Sequence, residues 1–501
     1  MGSFFSKDTS ISKQIKRIWN EENYSPIPDG KSVGSKFNSW RAPVLEFGPL
    51  EDDLAVYLQE QVHIGHYEPS EESWQKCCKV VDVISQSFHV HLKKTALEFY
   101  PGLVLKDFIK QGSSREGLKI RNPEFDMILP FAIEGVNIRP VPTKDSDNNS
   151  IPALFKLKVL NPQVKHGSRY QLLRESGVFE KHGSEMFLNA INVKNRVMSS
   201  IMDITFSRIQ EEMDKEVERD PYLFTLSKTI TQSSVYRFKI KIKYGEDRRE
   251  SVEIRIENAT PNVIEFNVIP GFLLQPDSVP DPNSWFSMLG FNSSMECDKY
   301  AVMDWVQKGR HSVPYPTPQL LWTESTCGYE KYIIDVSRRT KSNLYILTAC
   351  RIMKAYIDIF DQSSQLRIIL PSYLMKNIAI HCILLRLEVS GVREALGCLM
   401  IFLEICLEKE FLSHFVYGNA HLSTMLSKSQ TSDEQKRLNL FNNIPRTHFQ
   451  EAKCSLRVMK GYLRGSFTES SHLNRQILQY FEELCSQSTG SENTSYSCAL
   501  M

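Results

Sequence analysis

Residues 112–126 combine a small turn with two nearby carboxylates, a pattern that suits phosphate and metal chemistry. Gly112 and Ser113 could bring backbone N–H groups close to a triphosphate, since glycine allows close approach and serine adds a donor. Glu124 and Asp126 stand at positions i and i+2, which share one face of a strand. Such a pair could hold Mg²⁺ or Mn²⁺, because these cations bind oxygen ligands and keep phosphates as partners. The alternative interpretation is an exposed hairpin with a chance acidic pair.

Hydrophobic periodicity predicts the elements that position this segment. Residues 51–100 favour helix up to Tyr100-Pro101-Gly102, residues 170–220 also favour helix, and long amphipathic helices are predicted from about 340 to 410. Strands are predicted at 125–133, 154–160, 235–244, near 251–256 and at 263–269. The pattern indicates an α+β fold, with a catalytic-type lobe followed by a helical lobe. We expect an N-terminal segment and linker at 1–50, the core lobe at 51–335, the helical lobe at 336–485 and a flexible tail at 486–501.

The strand predicted at 235–244 alternates apolar positions with a row of basic side chains, which are Arg237, Lys239, Lys241 and Lys243. This row could contact a nucleic-acid backbone. The favoured interpretation is the solvent face of an edge strand, where charge guards against aggregation.

Composition places the chain among globular proteins. It has 501 residues, a formal net charge of +1, 41% hydrophobic residues and 24% charged residues, enough for two lobes with sizeable cores. Its eleven cysteines lack metal-binding spacing, so we predict no zinc site. Cys382, Cys398 and Cys406 lie in apolar runs and are expected to be core thiols in a reducing cytosol. The near-zero charge argues against a surface coated by nucleic acid, and we expect neither a signal peptide nor a membrane-spanning helix.

Both ends of the chain carry lipidation patterns. Gly2 and Ser6 fit the N-myristoylation pattern, and the following segment combines an apolar helical stripe with basic residues, the usual second membrane signal. Cys498, followed by Ala-Leu-Met, fits the prenylation pattern typical of a farnesyl anchor. Together the two patterns predict a cytoplasmic protein that is attached peripherally to a membrane surface.

Several segments, in the same order, resemble the cyclic GMP-AMP synthase (cGAS)-like and male-abnormal-type nucleotidyltransferases, whose fold is of the polymerase-β type. The Gly-Ser turn, the Glu-x-Asp strand and a later strand ending in Pro270-Gly271-Phe272 are similar to the catalytic segments of that fold. In the second half, residues 322–325, 330–331, 350–354, 371–376 and 411–422 resemble further family segments. The resemblance covers roughly residues 55–430.

This resemblance implies site roles. Gly112 and Ser113 would hold the donor triphosphate, and Glu124 and Asp126 would bind two Mg²⁺ ions that assist attack by a sugar hydroxyl. The matching segments add a nucleotide-binding set, which is Ser325, Lys354, Ser372, Tyr373 and Lys376. In this set the tyrosine would stack on a base and the lysines would meet phosphate or base edges. From the residues alone, the tyrosine could equally pack between helices, and each lysine could be an ordinary solvent-exposed side chain.

Three positions depart from the family pattern. Asn267 stands where the family has its third acidic ligand; an amide oxygen can coordinate Mg²⁺ but carries no charge and cannot act as a base. Glu265, about 6.6 Å away on the same strand face, could compensate if the strand shifts. Thr323 and Pro371 stand where the family has an arginine and a serine. The zinc-binding insertion of the vertebrate DNA sensor is missing, and relatives without it can sense RNA or other ligands.

Two functional interpretations follow. The first is an innate immune nucleotidyltransferase that joins ATP and/or GTP into a cyclic dinucleotide for a STING-type receptor after sensing a nucleic acid such as double-stranded RNA. The second is a membrane-tethered pseudoenzyme of the same fold that acts by binding protein partners. The intact turn and acidic pair favour the first interpretation, whereas Asn267, Thr323 and the lipidation patterns favour the second.

Overall fold

The computed structural model describes residues 71–118, 124–144, 150–217, 224–230, 235–242, 263–274, 299–303, 317–338, 340–360, 365–417, 438–441, 444–462 and 469–486, with Ile11, Gln14 and Asn419. The lipidation sites Gly2 and Cys498, nearly all of the segment 1–50, the strand predicted near 251–256 and nearly all of the C-terminal tail lie outside these residues.

One long helix packs across a sheet in the first part of the described chain. Helix α1, Glu71–Phe99, repeats buried apolar residues every three or four positions, so it has one continuous apolar face. Phe88 on this face contacts Phe238 and Phe266 of the sheet, with ring centroids 4.7 and 6.5 Å away. The helix ends directly before Tyr100, as the sequence predicts. It supports the strands that carry the candidate site from behind.

Twelve described strands form one sheet. They are β1 Leu103–Leu105, β2 Ile109–Gln111, β3 Glu124–Ile133, β4 Ile138–Lys144, β5 Ser150–Val159, β6 Phe179–His182, β7 Glu185–Leu188, β8 Phe224–Ile230, β9 Tyr236–Ile242, β10 Val263–Leu274, β11 Lys299–Val302 and β12 Leu321–Ser325. The main order is β1-β3-β10-β11-β12-β5-β7-β6, while β2 pairs with β3, β4 with β5, and β8 with β9, which also pairs with β10. Among these strands only β3 and β10 pair in parallel. The predicted combination of strands and helices is confirmed, and the polymerase-β-type arrangement in two lobes stays a prediction.

Strand β9 lies inside the sheet, between β8 and β10. The interpretation of its basic residues as the solvent face of an edge strand is therefore wrong. The sequence did not reveal the covering strand β8 as a partner, since strand pairing is a tertiary property. Phe238 of β9 is fully buried, as the alternation predicts. Its neighbour Arg237 stands opposite Asn267 on β10 and so faces the candidate site.

Strand β10 continues to Leu274, past the end predicted at Ile269. A proline inside a sheet normally breaks the pairing because it has no N–H to donate. Here Pro270 falls where the neighbour on one side changes, since β9 pairs with β10 up to Val268 and β11 pairs with it from Gly271. The proline thus costs no hydrogen bond on that side, and β10 can pass beside the whole acidic end of β3.

The helix predicted over 170–220 is interrupted. The structure has helices α2 Gly112–Arg115, α3 Gln171–Glu175, α4 Ala190–Asn192 and α5 Ser199–Val217, with 3₁₀ turns at Pro162–His166 and Ser168–Tyr170 and a π-helical turn at Val193–Met198. Strands β6 and β7 form a hairpin where helix was predicted. Gly177 and Gly183 have φ values of +71° and +64°, which favour turns over helix at these two points.

The last part of the described chain is helical. It contains α6 Cys327–Ser337, α7 Lys341–Phe360, α8 Gln365–Ile369, α9 Ser372–Leu384, α10 Val392–Lys409, α11 Arg446–Tyr462 and α12 Ser471–Ser486, and a 3₁₀ turn at Pro318–Leu320 precedes β12. The helices predicted from about 340 to 410 are confirmed. Cys382, Cys398 and Cys406 are buried in them, as the sequence predicts. In the part of the chain that the structure describes, no helix has the length and apolar composition needed to cross a membrane.

Buried apolar side chains form two large cores. The first joins α1, the sheet and α5, and it also includes Ile11 from the N-terminal region. The second joins helices α6 to α12 and includes Leu118 from the segment that follows α2. Residues 112–118 therefore connect the two cores. Helix α6 contributes to the second core and spans residue 335, where the sequence predicts the boundary between the two lobes. The division into lobes stays a prediction.

Candidate active site

The predicted phosphate-binding turn lies directly against the strand that carries the two carboxylates. Gly112 has a φ of +78°, and a Cβ at this position would lie 2.4 Å from Asp126 Oδ2. Only glycine fits both the backbone conformation and this close approach. Ser114 Oγ donates a hydrogen bond to the backbone carbonyl of Glu124, and Leu118 N donates to the carbonyl of Ser113 over 2.8 Å. The turn and the acidic pair are therefore one rigid unit.

The parallel pairing of β3 and β10 brings four polar side chains together. Glu265 pairs with Glu124 and Asn267 pairs with Asp126. Alternation puts all four on the same face of the sheet. Asn267 is 4% exposed, whereas the side chains of Glu124 and Glu265 are 30% and 24% exposed. The structure thus places Asn267 beside the acidic pair, at the position where the family resemblance implies a third acidic ligand.

The amide of Asn267 bridges the two carboxylates. Its Nδ2 donates to Glu124 Oε1 over 2.9 Å and to Asp126 Oδ1 over 2.8 Å. Its Oδ1 accepts a hydrogen bond from Arg237 Nε over 3.2 Å. The reverse orientation would point the amide oxygen at two carboxylates and the amide hydrogens at a guanidinium group, so the surrounding charges fix the observed one. Each polar group of the amide is paired.

This arrangement does not fit a bound divalent cation. A cation shared by Glu124 and Asp126 would need the space between their oxygens, and the Asn267 amide nitrogen already bonds to both. The amide oxygen, which could coordinate a metal, is directed at Arg237 instead. Within the described ranges, no group of three or more His, Cys, Asp or Glu side chains could hold a metal ion. The magnesium ligands predicted from the sequence therefore face an amide that competes for the same oxygens.

A buried ionic cluster lies beneath the turn. Lys376 on α9 contacts Glu116 Oε2 at 3.2 Å and Glu330 Oε2 of α6 at 2.5 Å. All three side chains are at most 10% exposed. Burial alone would lower the pKa of Lys376, but the two glutamates together raise it above its ordinary value. Burial raises the pKa of Glu116 despite the neighbouring lysine. The cluster joins the turn to two helices of the second core.

Further contacts hold the same segment against the helices. Lys354 Nζ of α7 donates to the carbonyl of Leu118 over 2.7 Å, and Arg115 Nη2 pairs with Asp335 Oδ2 at 3.1 Å. Arg338 donates to the backbone carbonyl of Glu116. Lys354 and Asp335 belong to helices α7 and α6, and Arg338 directly follows α6. The position of the turn is consequently fixed by the helices as well as by the sheet.

The predicted nucleotide-binding residues do not all share one exposed surface. Lys354 and Lys376 are 6% and 8% exposed, so the alternative of ordinary solvent-exposed lysines is wrong for both. Tyr373 is half-buried against the helical core, and its hydroxyl lies 2.9 Å from His414 Nε2. Ser372 is exposed at the start of α9, and Ser325 is half-buried at the end of β12. Their roles in nucleotide binding stay predictions.

Sequence reasoning missed two contributors to the site. Arg237 was predicted only as one member of a basic row, because its place beside the acidic face depends on the register of β9 against β10. Glu116 had no local signal of its own, whereas Glu330 lies in the segment 330–331 that resembles the family. Lys376 offered one, because it is the one lysine in a helix, α9, that is otherwise strongly apolar. A lysine in such a setting needs acidic partners.

Comparisons with known proteins add one distant likeness. No protein-family model matches the chain, and no curated protein matches it. Among solved structures, a structure of CdnC from E. coli MS115-1 with ATP matches at 10% sequence identity and a TM-score of 0.41. The match covers 86% of this chain and 96% of that chain. A likeness of this size does not determine function, so the chemistry follows from the residues of the site alone.

Proposed function

We propose that this chain is a nucleotidyltransferase-type protein that binds ATP or GTP beside the Gly112-Ser113 turn. The observation that supports the proposal is the close approach of Gly112 to the side chain of Asp126, which holds the backbone of the turn beside the acidic pair. Ser113 would donate to the triphosphate, and the half-exposed Ser325 and exposed Ser372 would contact the nucleotide. Tyr373, Lys354 and Lys376 would support the site from the helices.

Transfer of a nucleotidyl group joins the attacking hydroxyl to the α-phosphorus and releases pyrophosphate. The hydroxyl must lose a proton, and the charge on the triphosphate must be offset. Asn267 can accept no proton and carries no charge. We therefore infer that transfer is slow. From the family resemblance, we propose that the product is a cyclic dinucleotide, made in response to a nucleic acid such as double-stranded RNA. A STING-type receptor would bind this product in innate immune signalling.

A transfer assay tests this proposal. Purified protein is incubated with ATP, GTP, Mg²⁺ or Mn²⁺, and double-stranded RNA or DNA, and the nucleotide products are separated. We expect a small amount of product that disappears in the Glu124→Ala, Asp126→Ala double variant. Product that persists in this variant, or no product from the wild-type chain under any of these conditions, contradicts transfer at this site.

A second function is favoured by the hydrogen bonds of Asn267. Because the amide satisfies both carboxylates without a cation, the site is stable as it stands, which suits a pseudoenzyme that acts by binding protein partners. This function predicts that the double variant described above, although it changes the acidic pair, keeps every cellular activity of the chain. Loss of that activity together with the loss of product would favour the enzyme.

We also propose peripheral attachment to membranes through lipids on Gly2 and Cys498. The proposal is supported by the two sequence patterns. Cell fractionation tests it, with the expectation that Gly2→Ala and Cys498→Ser together release the protein from the membrane fraction. A double variant that still sediments with membranes would show that lipids are not the anchor.

A further inference from the structure

The side chain of Arg237 contacts the acidic face of β3 and β10. Its Nε donates to Asn267 Oδ1 over 3.2 Å and lies 3.7 Å from Glu265 Oε2. Its Nη2 lies 3.7 Å from Glu124 Oε1. Strand β9 holds it there, because its backbone position is directly opposite Asn267. The guanidinium group therefore contacts two carboxylates and, through the amide, a third.

Arg237 and Asn267 act as a linked pair. A guanidinium hydrogen bond to the amide oxygen polarises the amide and strengthens its N–H donors, which point at Glu124 and Asp126. To coordinate a cation, the amide would have to turn its oxygen toward the carboxylates. That rotation would direct the NH₂ group at the guanidinium, so two donors would face each other. A cation therefore competes both with the amide and with the charge behind it.

We propose that Arg237, through Asn267, is the resident counter-ion of the Glu124–Asp126 pair and competes with divalent cations for it. The inference rests on the proposed function only in taking this pair as the place where a cation would act. Arg237 is a positioning residue in this account, since it acts on Asp126 through the amide and lies beside Glu124. Its side chain is 36% exposed, so it can move away when another cation or a polyanion arrives.

A titration of the purified full-length protein with Mn²⁺ tests the proposal. Electron paramagnetic resonance measures the concentration of the free ion, and binding is obtained from its decrease. We expect weak binding by the wild type and an affinity about tenfold higher for Arg237→Gln, the effect of removing one partly screened charge and its hydrogen bond. Arg237→Met should behave in the same way, so a folding defect in one variant does not decide the result. Arg169→Gln is the matched control. The Arg169 side chain is exposed and pairs with Glu134, with 2.5 Å between Arg169 Nη2 and Glu134 Oε2, and this pair does not belong to the acidic face.

Equal Mn²⁺ affinities for the wild type and whichever Arg237 variants fold would overturn the proposal. A gain that Arg169→Gln reproduces would overturn it as well, since the effect would then be one of overall charge. The readout is binding and not turnover, so it is independent of the transfer assay. If the Arg237 variants gain Mn²⁺ affinity and the wild type forms no product, the counter-ion proposal is supported and the transferase proposal is contradicted. If the wild type forms product and the variants gain no affinity, the transferase proposal is supported and the counter-ion proposal is contradicted.

Discussion

Lys376 offers the sharpest test of how the turn is held. Its ammonium group bridges Glu116 and Glu330 inside the protein, with distances of 3.2 and 2.5 Å. Lys376→Met keeps most of the side-chain volume but leaves two carboxylates buried without the ammonium group that bridges them. Removing one partner of a buried ion pair typically costs about 3–5 kcal/mol of unfolding free energy, because the remaining charge is neither solvated nor paired. We expect a loss in this range at pH 7.

The structure provides a matched control for this variant. Lys460 also bridges two glutamates, Glu404 at 2.8 Å and Glu469 at 3.4 Å, but these carboxylates are 39% and 47% exposed. Water therefore screens them, and Lys460→Met should cost at most about 1 kcal/mol. Urea unfolding followed by circular dichroism measures both. Equal losses for the two variants would refute the conclusion that burial makes the Lys376 cluster strong.

The pH dependence of the same variant gives a second readout. Burial raises the pKa of Glu116, with Lys376 acting against this rise. Without the lysine the pKa of Glu116 should rise further, so the folded variant holds its proton more tightly than the unfolded chain does. The stability of Lys376→Met should therefore increase as the pH falls from 7 toward 5, relative to the wild type. A deficit that is constant over this range would contradict the assignment of the penalty to an unpaired carboxylate.

Two further predictions concern Gly112 and His414. Gly112→Ala should lower the free energy of unfolding clearly more than Gly183→Ala, for which a loss of about 1 kcal/mol is expected. Both glycines have positive φ, but an added Cβ would meet Asp126 at position 112 and nothing within 4 Å at position 183. Equal urea midpoints for the two variants would contradict this. Burial, followed by the nearby His381, lowers the pKa of His414 to about 3. The pKa of this histidine in the unfolded chain is near 6.5, so its titration should lower the free energy of unfolding of the wild type by about 2 kcal/mol between pH 7 and pH 5. His414→Gln should not show this loss in urea unfolding at the two pH values.

Much of the acidic strand could be predicted from the sequence. The alternation after Glu124 places Phe125 and Met127 in the core, and both are fully buried. The need for glycine at position 112 also follows from the pattern, since the turn must approach the strand closely. The long helices after residue 340 were predictable because their apolar periodicity extends over several turns. In each case the signal is local in sequence.

The parts that could not be predicted depend on contacts between distant segments. The bond between Arg237 and Asn267 requires the register of β9 against β10, which is set by the whole sheet and not by either strand. The burial of Lys376 depends on Glu116, which is far away along the chain. The passage of β10 through Pro270 depends on where its neighbours end and begin. Local patterns contain none of this information.

The most direct test of the central claim is the transfer rate of Asn267→Asp. If position 267 limits an otherwise complete site, this variant should form nucleotide product with Mg²⁺, ATP and GTP at least about a hundredfold faster than the wild type. Adding Glu124→Ala and Asp126→Ala to it should abolish the product. A folded Asn267→Asp protein that binds nucleotide and still forms no product, with or without double-stranded RNA or DNA, would contradict the account.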